Sequence, residues 1–286
     1  MFGTRSPAVA GRFYPGDGRT LDRDVSGYLE AAKATPAPAI AVMAPHAGYV
    51  YSGAIAAAAY ARVVVPKTAI VLCPNHTGMG ARKSLWADGA WKIPGGELKV
   101  DEALAETLRA VVGLEPDSLA HQHEHSLEVQ LPFLRARNPD VSIVPVCLSS
   151  LGVRECVKLG EGIAHAIAPQ RADVLLVAST DMTHFLTAED AKRLDSMALD
   201  RVLALDPEGL YETVETNDIS MCGYLPTTVV LAAARALGAK TARLVRYGNS
   251  GEASGDFDRV VGYAGVVIGQ VEPSVGRDAP KAAIEQ

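Results

Sequence analysis

The stretch Ala39–Gly53, AIAVMAPHAGYVYSG, decides the reading of this chain. Its first half is a short, continuous apolar run, the pattern of a strand buried on both faces. The run stops at Pro45 and hands over to His46, two glycines and an Ala-rich helical pattern. The same grammar recurs twice. Thr68–Cys73 (TAIVLC) runs into Pro74-Asn75-His76-Thr77-Gly78, and Asp173–Ala178 (DVLLVA) runs into Ser179-Thr180-Asp181-Met182-Thr183-His184. A buried strand that ends in a polar, metal-capable group, three times over, predicts a sheet whose carboxyl ends carry the chemistry, since ligands of open α/β sheets bind beyond those ends.

Working outward, further strands are predicted at Val141–Leu148, Thr241–Tyr247 and Val260–Ile268. Helical patterns fall between the strands: Gly53–Val63, Glu102–Val112, Glu124–Arg135, Val153–Ile167, Ala188–Leu205, Pro207–Thr216 and Thr227–Leu237. This alternation predicts an α/β fold, a mostly parallel central β-sheet flanked by helices on both faces. Trp86–Ile93 (WADGAWKI) reads as a small hairpin turning at Asp88-Gly89. No repeat and no flexible linker divides the chain, so residues 1–271 are expected to form a single domain. Residues 272–286 lack periodicity and read as a disordered tail.

The bulk numbers exclude several classes. The chain of 286 residues carries a net charge of -6 with no long basic run, which argues against a nucleic-acid partner. No apolar stretch is long enough to span a bilayer, and the opening MFGTRSPAVAGRFYPG lacks the apolar centre of a secretion signal, so the expected location is cytoplasmic. The four cysteines, Cys73, Cys147, Cys156 and Cys222, form no C-x-x-C pair and are expected as free thiols. Cys73 and Cys147 lie in strand runs and read as core.

If the three motif-bearing strands are parallel neighbours, His46, His76, Asp181 and His184 meet at one edge. Cys222, in Ile219-Ser220-Met221-Cys222-Gly223, precedes a helix, where the positive helix end favours thiolate. Bland readings stand beside these: Asp181 as a turn cap, Cys222 as a small core residue. In His121-Gln122-His123-Glu124-His125-Ser126, His121 and His123 are expected to face solvent. Glu124 and His125 are better placed for substrate contact or for supporting a ligand; Tyr49 and Tyr51 are candidates for the mouth, with packing as the plainer assignment. There is neither a G-x-G-x-x-G fingerprint nor a G-x-S-x-G elbow, which disfavours dinucleotide binding and that type of serine hydrolase.

These segments resemble the Memo family. The resemblance rests on Arg5–Pro15 (RSPAVAGRFYP), Pro45–Gly53 (PHAGYVYSG), Pro74–His76 (PNH), Glu124–Glu128 (EHSLE), Ser179–His184 (STDMTH), Met221–Gly223 (MCG) and Arg259–Gly265 (RVVGYAG). It implies a fold like that of the class III extradiol (LigB-type) ring-cleaving dioxygenases. It also implies a metal held by His46, His76 and Cys222, with Asp181 and His184 beside it as the expected catalytic groups: His184 as general acid or base, and Asp181 either orienting His184 or a ligating imidazole or binding the metal itself. Fe(II) is the expected metal, with Cu or Zn as alternatives. A thiolate in place of the carboxylate of a two-His, one-carboxylate iron site puts catechol cleavage in doubt. The expected reaction is oxidation or oxygen insertion on a small molecule. The alternatives are a peptide- or protein-binding module using an inherited cleft, or a copper- or iron-binding redox protein. Bacterial and archaeal members of the family also imply AMMECR-domain and radical-SAM partners (the AmmeMemoRadiSam system).

Overall fold

Every residue of Thr68–Pro74 is buried, as is every residue of Ala41–Ala44 and Val174–Ser179. Successive side chains of a strand point to opposite faces, so a strand buried throughout must be covered on both sides. The computed structural model, which describes residues 2–269, shows that arrangement. The predicted tail at 272–286 lies outside the described residues.

Among the described residues, nine strands form the main sheet. Its centre is parallel: Ala41–Ala44 pairs with Val174–Ser179, which pairs with Thr68–Pro74, which pairs with Ser142–Leu148. The two C-terminal strands depart from the parallel expectation. Val260–Ile268 runs antiparallel to Ala41–Ala44, and both Ala242–Asn249 and His184–Leu186 run antiparallel to Val260–Ile268. The connection from Asn249 to Val260 holds only the one-turn helix Gly251–Ser254, too short for the crossover a parallel pair needs.

The helix Tyr49–Tyr60 (YVYSGAIAAAAY) packs on Ala41–Ala44 and Val260–Ile268 and is buried almost all round. It begins four residues before its predicted start, because a helix apolar on every side gives no amphipathic signal to mark its first turn. Tyr224–Ala236 packs on Thr68–Pro74 and Val174–Ser179, and Val153–Ile167 lies on it. Gly160 allows that contact, since a Cβ there would meet the Val229 carbonyl oxygen at 2.3 Å. No helix among the described residues is long and apolar enough to cross a membrane.

Two local expectations are corrected. The hairpin pairs Ala90–Ile93 with Gly96–Lys99 and turns at Pro94-Gly95, with Gly95 at φ 82°. Asp88 instead accepts the Phe2 amide at 2.6 Å, tying down the N-terminus. The predicted helix Glu124–Arg135 is broken: helical backbone spans Leu119–Gln122, Glu128–Gln130 and Leu131–Arg137, and residues 123–127 are unwound. Buried carboxylates explain the break. Glu128 accepts hydrogen bonds from Arg5 Nη1 at 2.6 Å, the Ala8 amide at 2.7 Å, the Val9 amide at 3.0 Å and Tyr14 Oη at 2.5 Å. Arg5 also donates to the carbonyls of His121 and Glu124, both at 2.8 Å, and lies 4.1 Å over the Trp91 ring. Long-range partners thus satisfy backbone groups that a continuous helix would have satisfied itself.

His121 is also corrected. It is fully buried, edge-on to Trp86 and Trp91, whereas His123 is exposed as expected.

Removing the Glu128 carboxylate leaves Arg5 buried and unpaired. We expect Glu128→Ala to lose about 3–5 kcal/mol in denaturant melts, against little change for Asp24→Ala in the exposed Arg23–Asp24 pair. A second prediction concerns acid. Burial, then the neighbouring Arg5, lowers the His121 pKa from 6.5 to about 3. The unfolded chain therefore binds a proton in that window that the folded chain refuses, and stability falls as pH drops through it. His121→Phe should flatten this fall in a melting-temperature series. An unchanged slope would assign the acid sensitivity to other groups.

Candidate metal centre

The register of the central strands builds the site. Ala44 pairs with Ser179, so Pro45-His46 and Thr180-Asp181 leave the sheet side by side, and the Thr68–Pro74 strand delivers His76 next to them. Asp181 Oδ1 accepts the His46 amide at 2.7 Å, and the Thr180 amide donates to the Ala44 carbonyl at 3.0 Å. The fourth contribution comes from the loop before Tyr224–Ala236. Cys222 Sγ lies 3.1 Å from His46 Nε2 and accepts the Asp181 amide at 3.3 Å. Gly223 permits this approach, because a Cβ there would meet the Ser179 carbonyl oxygen and the Thr180 side chain, each at 2.4 Å.

Three imidazoles converge. His46, His76 and His125 each offer a ring nitrogen within 4.8 Å of the others. Ring centroids are 5.2 Å apart for His46 and His76, 5.4 Å for His46 and His125, and 4.7 Å for His76 and His125. Cys222 flanks the group at His46.

The hydrogen bonds choose the tautomers. Ser179 donates its hydroxyl proton to the Ser126 carbonyl at 2.6 Å and accepts from Gln130 Nε2 at 2.9 Å. Toward His46 Nδ1, 3.0 Å away, Ser179 Oγ therefore acts as acceptor, which leaves the lone pair on His46 Nε2. Glu124 accepts His76 Nδ1 at 2.9 Å and the His76 amide at 2.7 Å, which leaves the His76 lone pair on Nε2. His184 Nδ1 faces the Ser220 carbonyl at 2.9 Å and must donate to it, so its lone pair also sits on Nε2. A ligating imidazole typically has its second nitrogen engaged in this way.

Electrostatics favour neutral rings at His46 and His125. Burial, followed by repulsion from His76, His125 and His184, holds His46 well below the usual imidazole range. Burial lowers His125 to about 4. His76 goes the other way: burial opposes its charge, but the Glu124 hydrogen bond and charge outweigh that. Burial likewise raises the Glu124 carboxyl, yet hydrogen bonds from His76 and Ser126 bring it down to about 2. Burial raises Asp181 to about 7, against the pull of the His46 and Ala47 amides.

Several expectations are met by position and others are revised. His46, His76 and Asp181 lie at one rim with Cys222 against His46, and the N-terminal end of a helix does follow Cys222; among the described residues, however, the ligand atoms that lie within 4.8 Å of one another are those of His46, His76 and His125, not the expected set of His46, His76 and Cys222. However, burial and the nearby Asp181 push the Cys222 thiol up, opposite to the expected helix-end effect. Asp181 is held by the His46 backbone, while the His184 ring is held by Ser220. Glu124 is the support of His76, and His125 stands in the imidazole cluster itself. Tyr49 is removed from the mouth: it is buried, its hydroxyl donating to the Val129 carbonyl at 2.6 Å. Tyr51 is 44 % exposed. Sequence reading missed Ser179, Gln130 and Ser220; nothing in one sequence marks a serine as the partner of a distant histidine. The side chains of His76 and His125 keep 34 % and 23 % exposure, so the rim opens to solvent.

Residues 5–267 match the family described as Memo-like protein. The chain belongs to the Memo family. Among family members, a MEMO1 family protein of Methanosarcina mazei is 39 % identical over 92 % of this chain and 98 % of its own length. One from Methanopyrus kandleri is also 39 % identical, with the same coverage of both chains, and one from Aquifex aeolicus is 36 % identical over 92 % of this chain and 98 % of its own. A solved structure, an uncharacterized protein of Escherichia coli K12, matches with a TM-score of 0.49 at 16 % identity, over 70 % of this chain and 87 % of that one. The stretches that carried the resemblance coincide with the parts of the site: PHAGYVYSG with His46, PNH with His76, EHSLE with Glu124 and His125, STDMTH with Asp181 and His184, MCG with Cys222, and RSPAVAGRFYP with the Arg5 and Tyr14 contacts to Glu128.

Glu124→Gln keeps the shape of the side chain but removes the charge that holds His76. We expect it to weaken metal binding about 10–100-fold with the fold intact by circular dichroism. Unaltered affinity in a chelator-competition titration would mean that Glu124 does not orient a ligand.

Proposed function

We propose that this Memo-family chain is a non-heme iron protein that oxidises or oxygenates a small organic molecule. The observation that carries the reading is the convergence of three imidazoles, with the lone pairs of His46 and His76 on Nε2, beside a thiol at an open sheet rim. This donor set suits a transition ion: imidazole and thiolate bind iron, copper and zinc and are poor partners for magnesium or calcium. In this reading His46, His76 and Cys222 hold the ion, and His125 stands within reach as a further donor. A bound iron ion supplies one-electron redox chemistry and polarises an oxygen atom of the substrate.

The chain's own residues do the rest. Binding requires the Cys222 thiol to release its proton; the Asp181 backbone amide, which donates to Sγ at 3.3 Å, favours the thiolate that remains. His184, oriented by Ser220, presents a free Nε2 for proton transfer to or from substrate. Glu124 and Ser179 keep two imidazoles aimed without moving. A small-molecule substrate enters over His76 and His125.

The test begins with metal. Protein expressed anaerobically with iron should hold about one ion per chain by elemental analysis. His46→Ala and Cys222→Ala should each lose most of it, with melting curves near those of the metal-free parent. Stoichiometric iron in both variants would rule out these ligands. Competition between Cu(I) and Fe(II) separates a copper-handling role from an iron one. Oxygen uptake with a panel of small organic reductants then reads turnover; catechol ring-opening is expected to be slow, because a thiolate replaces the carboxylate of ring-cleaving sites. Iron bound without oxygen uptake would leave a binding role for the cleft.

A further inference from the structure

Two fully buried cysteines that the proposed chemistry does not use sit directly behind the imidazoles. Cys73 and Cys147 are each the penultimate residue of a central strand, and they are register partners in the parallel pair Thr68–Pro74 and Ser142–Leu148. In-register neighbours present their side chains on the same face, and adjacent strands lie about 4.7–4.9 Å apart. That separation falls within the roughly 4.4–6.8 Å between Cα atoms that a disulfide spans. Both side chains are fully buried. Cys147 Sγ donates to the carbonyls of Pro74 at 3.5 Å and Ala120 at 3.7 Å.

These contacts lead straight to the site. Ser126 Oγ donates to Glu124 Oε1 at 2.6 Å, and Glu124 holds His76; the Ser126 carbonyl accepts Ser179 Oγ, and Ser179 sets the tautomer of His46. The Pro74 carbonyl, two residues before His76, lies 3.4 Å from Ser126 Oγ as well as next to Cys147. One serine therefore links the thiol pair to the supports of two imidazoles.

We infer that Cys73 and Cys147 form a reversible redox pair, oxidised to an intramolecular disulfide by a hydroperoxide, and that closing this bond loosens the metal centre in front of it. The step balances. One sulfur attacks the peroxide O–O bond to give a sulfenic acid and water, or an alcohol from an organic hydroperoxide. The second sulfur then displaces the sulfenic oxygen as water and forms the S–S bond. Two thiols lose two electrons and two protons, and the peroxide takes them up. Strand spacing exceeds the roughly 3.8 Å typical between Cβ atoms of a disulfide, so closure draws the strand ends together. It also removes the S–H bond from Cys147 to the Pro74 carbonyl. Burial pushes the Cys73 thiol up, so the reaction favours alkaline pH and a small, neutral oxidant. The disulfide is a property of the pair alone; its effect on metal rests on the function proposed above.

The test uses the full chain without metal. It is treated with hydrogen peroxide at alkaline pH, blocked with an alkylating agent under denaturing conditions, and mapped by peptide mass spectrometry. The expected result is a linked species joining the Cys73 and Cys147 peptides, reversed by dithiothreitol and absent in Cys147→Ala. Cys222→Ala should still form it. No linked species at doses that oxidise Cys222, or linkage through Cys156 or Cys222, overturns the inference, and mapping the parent chain needs no variant to fold. Zinc, which has no redox chemistry of its own, then probes the coupling: the cross-linked chain should bind it about tenfold more weakly than the reduced chain. Equal affinity overturns the coupling and leaves the disulfide. A reduced chain that binds no zinc or iron counts against the metal reading alone.

Discussion

Parallel register is the constraint on which this molecule depends. Ala41–Ala44, Val174–Ser179 and Thr68–Pro74 lie side by side with their carboxyl ends at one rim, and the second residue after each strand, His46, Asp181 and His76, is a metal-capable one. Backbone hydrogen bonds across the strands set the spacing, and two more lock the exits: the Thr180 amide to the Ala44 carbonyl and the His46 amide to Asp181. A one-residue slip would turn His46 and His76 toward opposite faces. The metal-capable groups are therefore positioned by the part of the fold least able to move, which is where a site needing sub-ångström placement is best built.

A second layer rests on two buried carboxylates four residues apart. Glu124 takes four hydrogen bonds, two from His76 and two from Ser126. Glu128 takes four from the N-terminal segment, two of them from the Arg5 and Tyr14 side chains. On a regular helix, residues four apart would share one face. The chain unwinds at residues 123–127 so that one carboxylate can serve the site and the other the N-terminal strap. Arg5 ties the two together through the carbonyls of His121 and Glu124, and Phe13 of the same strap packs its ring 4.7 Å from that of His125. The N-terminal motif thus matters to the site although it supplies none of the converging imidazoles.

Behind both layers, Ser126 and Ser179 connect groups that are distant in sequence. Neither hydroxyl is exposed; Ser179 both donates and accepts through its hydroxyl, and Ser126 donates through its own. In a low-dielectric interior such networks are stiff, and a change at one member is felt by the others. The thiol pair Cys73 and Cys147 borders this network where the strands end.

From the sequence alone, much of the plan follows. Apolar runs too continuous to be half-exposed determine buried parallel strands, and their polar endings determine which edge is the working one. His46, His76 and Asp181 were legible there because strand ends have a local signature; Cys222 was marked by its place before a helix and by the family resemblance. The tertiary structure alone decided the rest. It broke the helix predicted from Glu124, buried His121, moved Tyr49 into the core and brought His125 into the imidazole cluster. Each of these turns on a partner some 50 to more than 100 residues away, Glu124 with His76, His121 with Arg5, Tyr49 with Val129. Local periodicity records how a segment would bury its own apolar face; it holds no record of a distant donor, and a buried charge goes wherever that donor is.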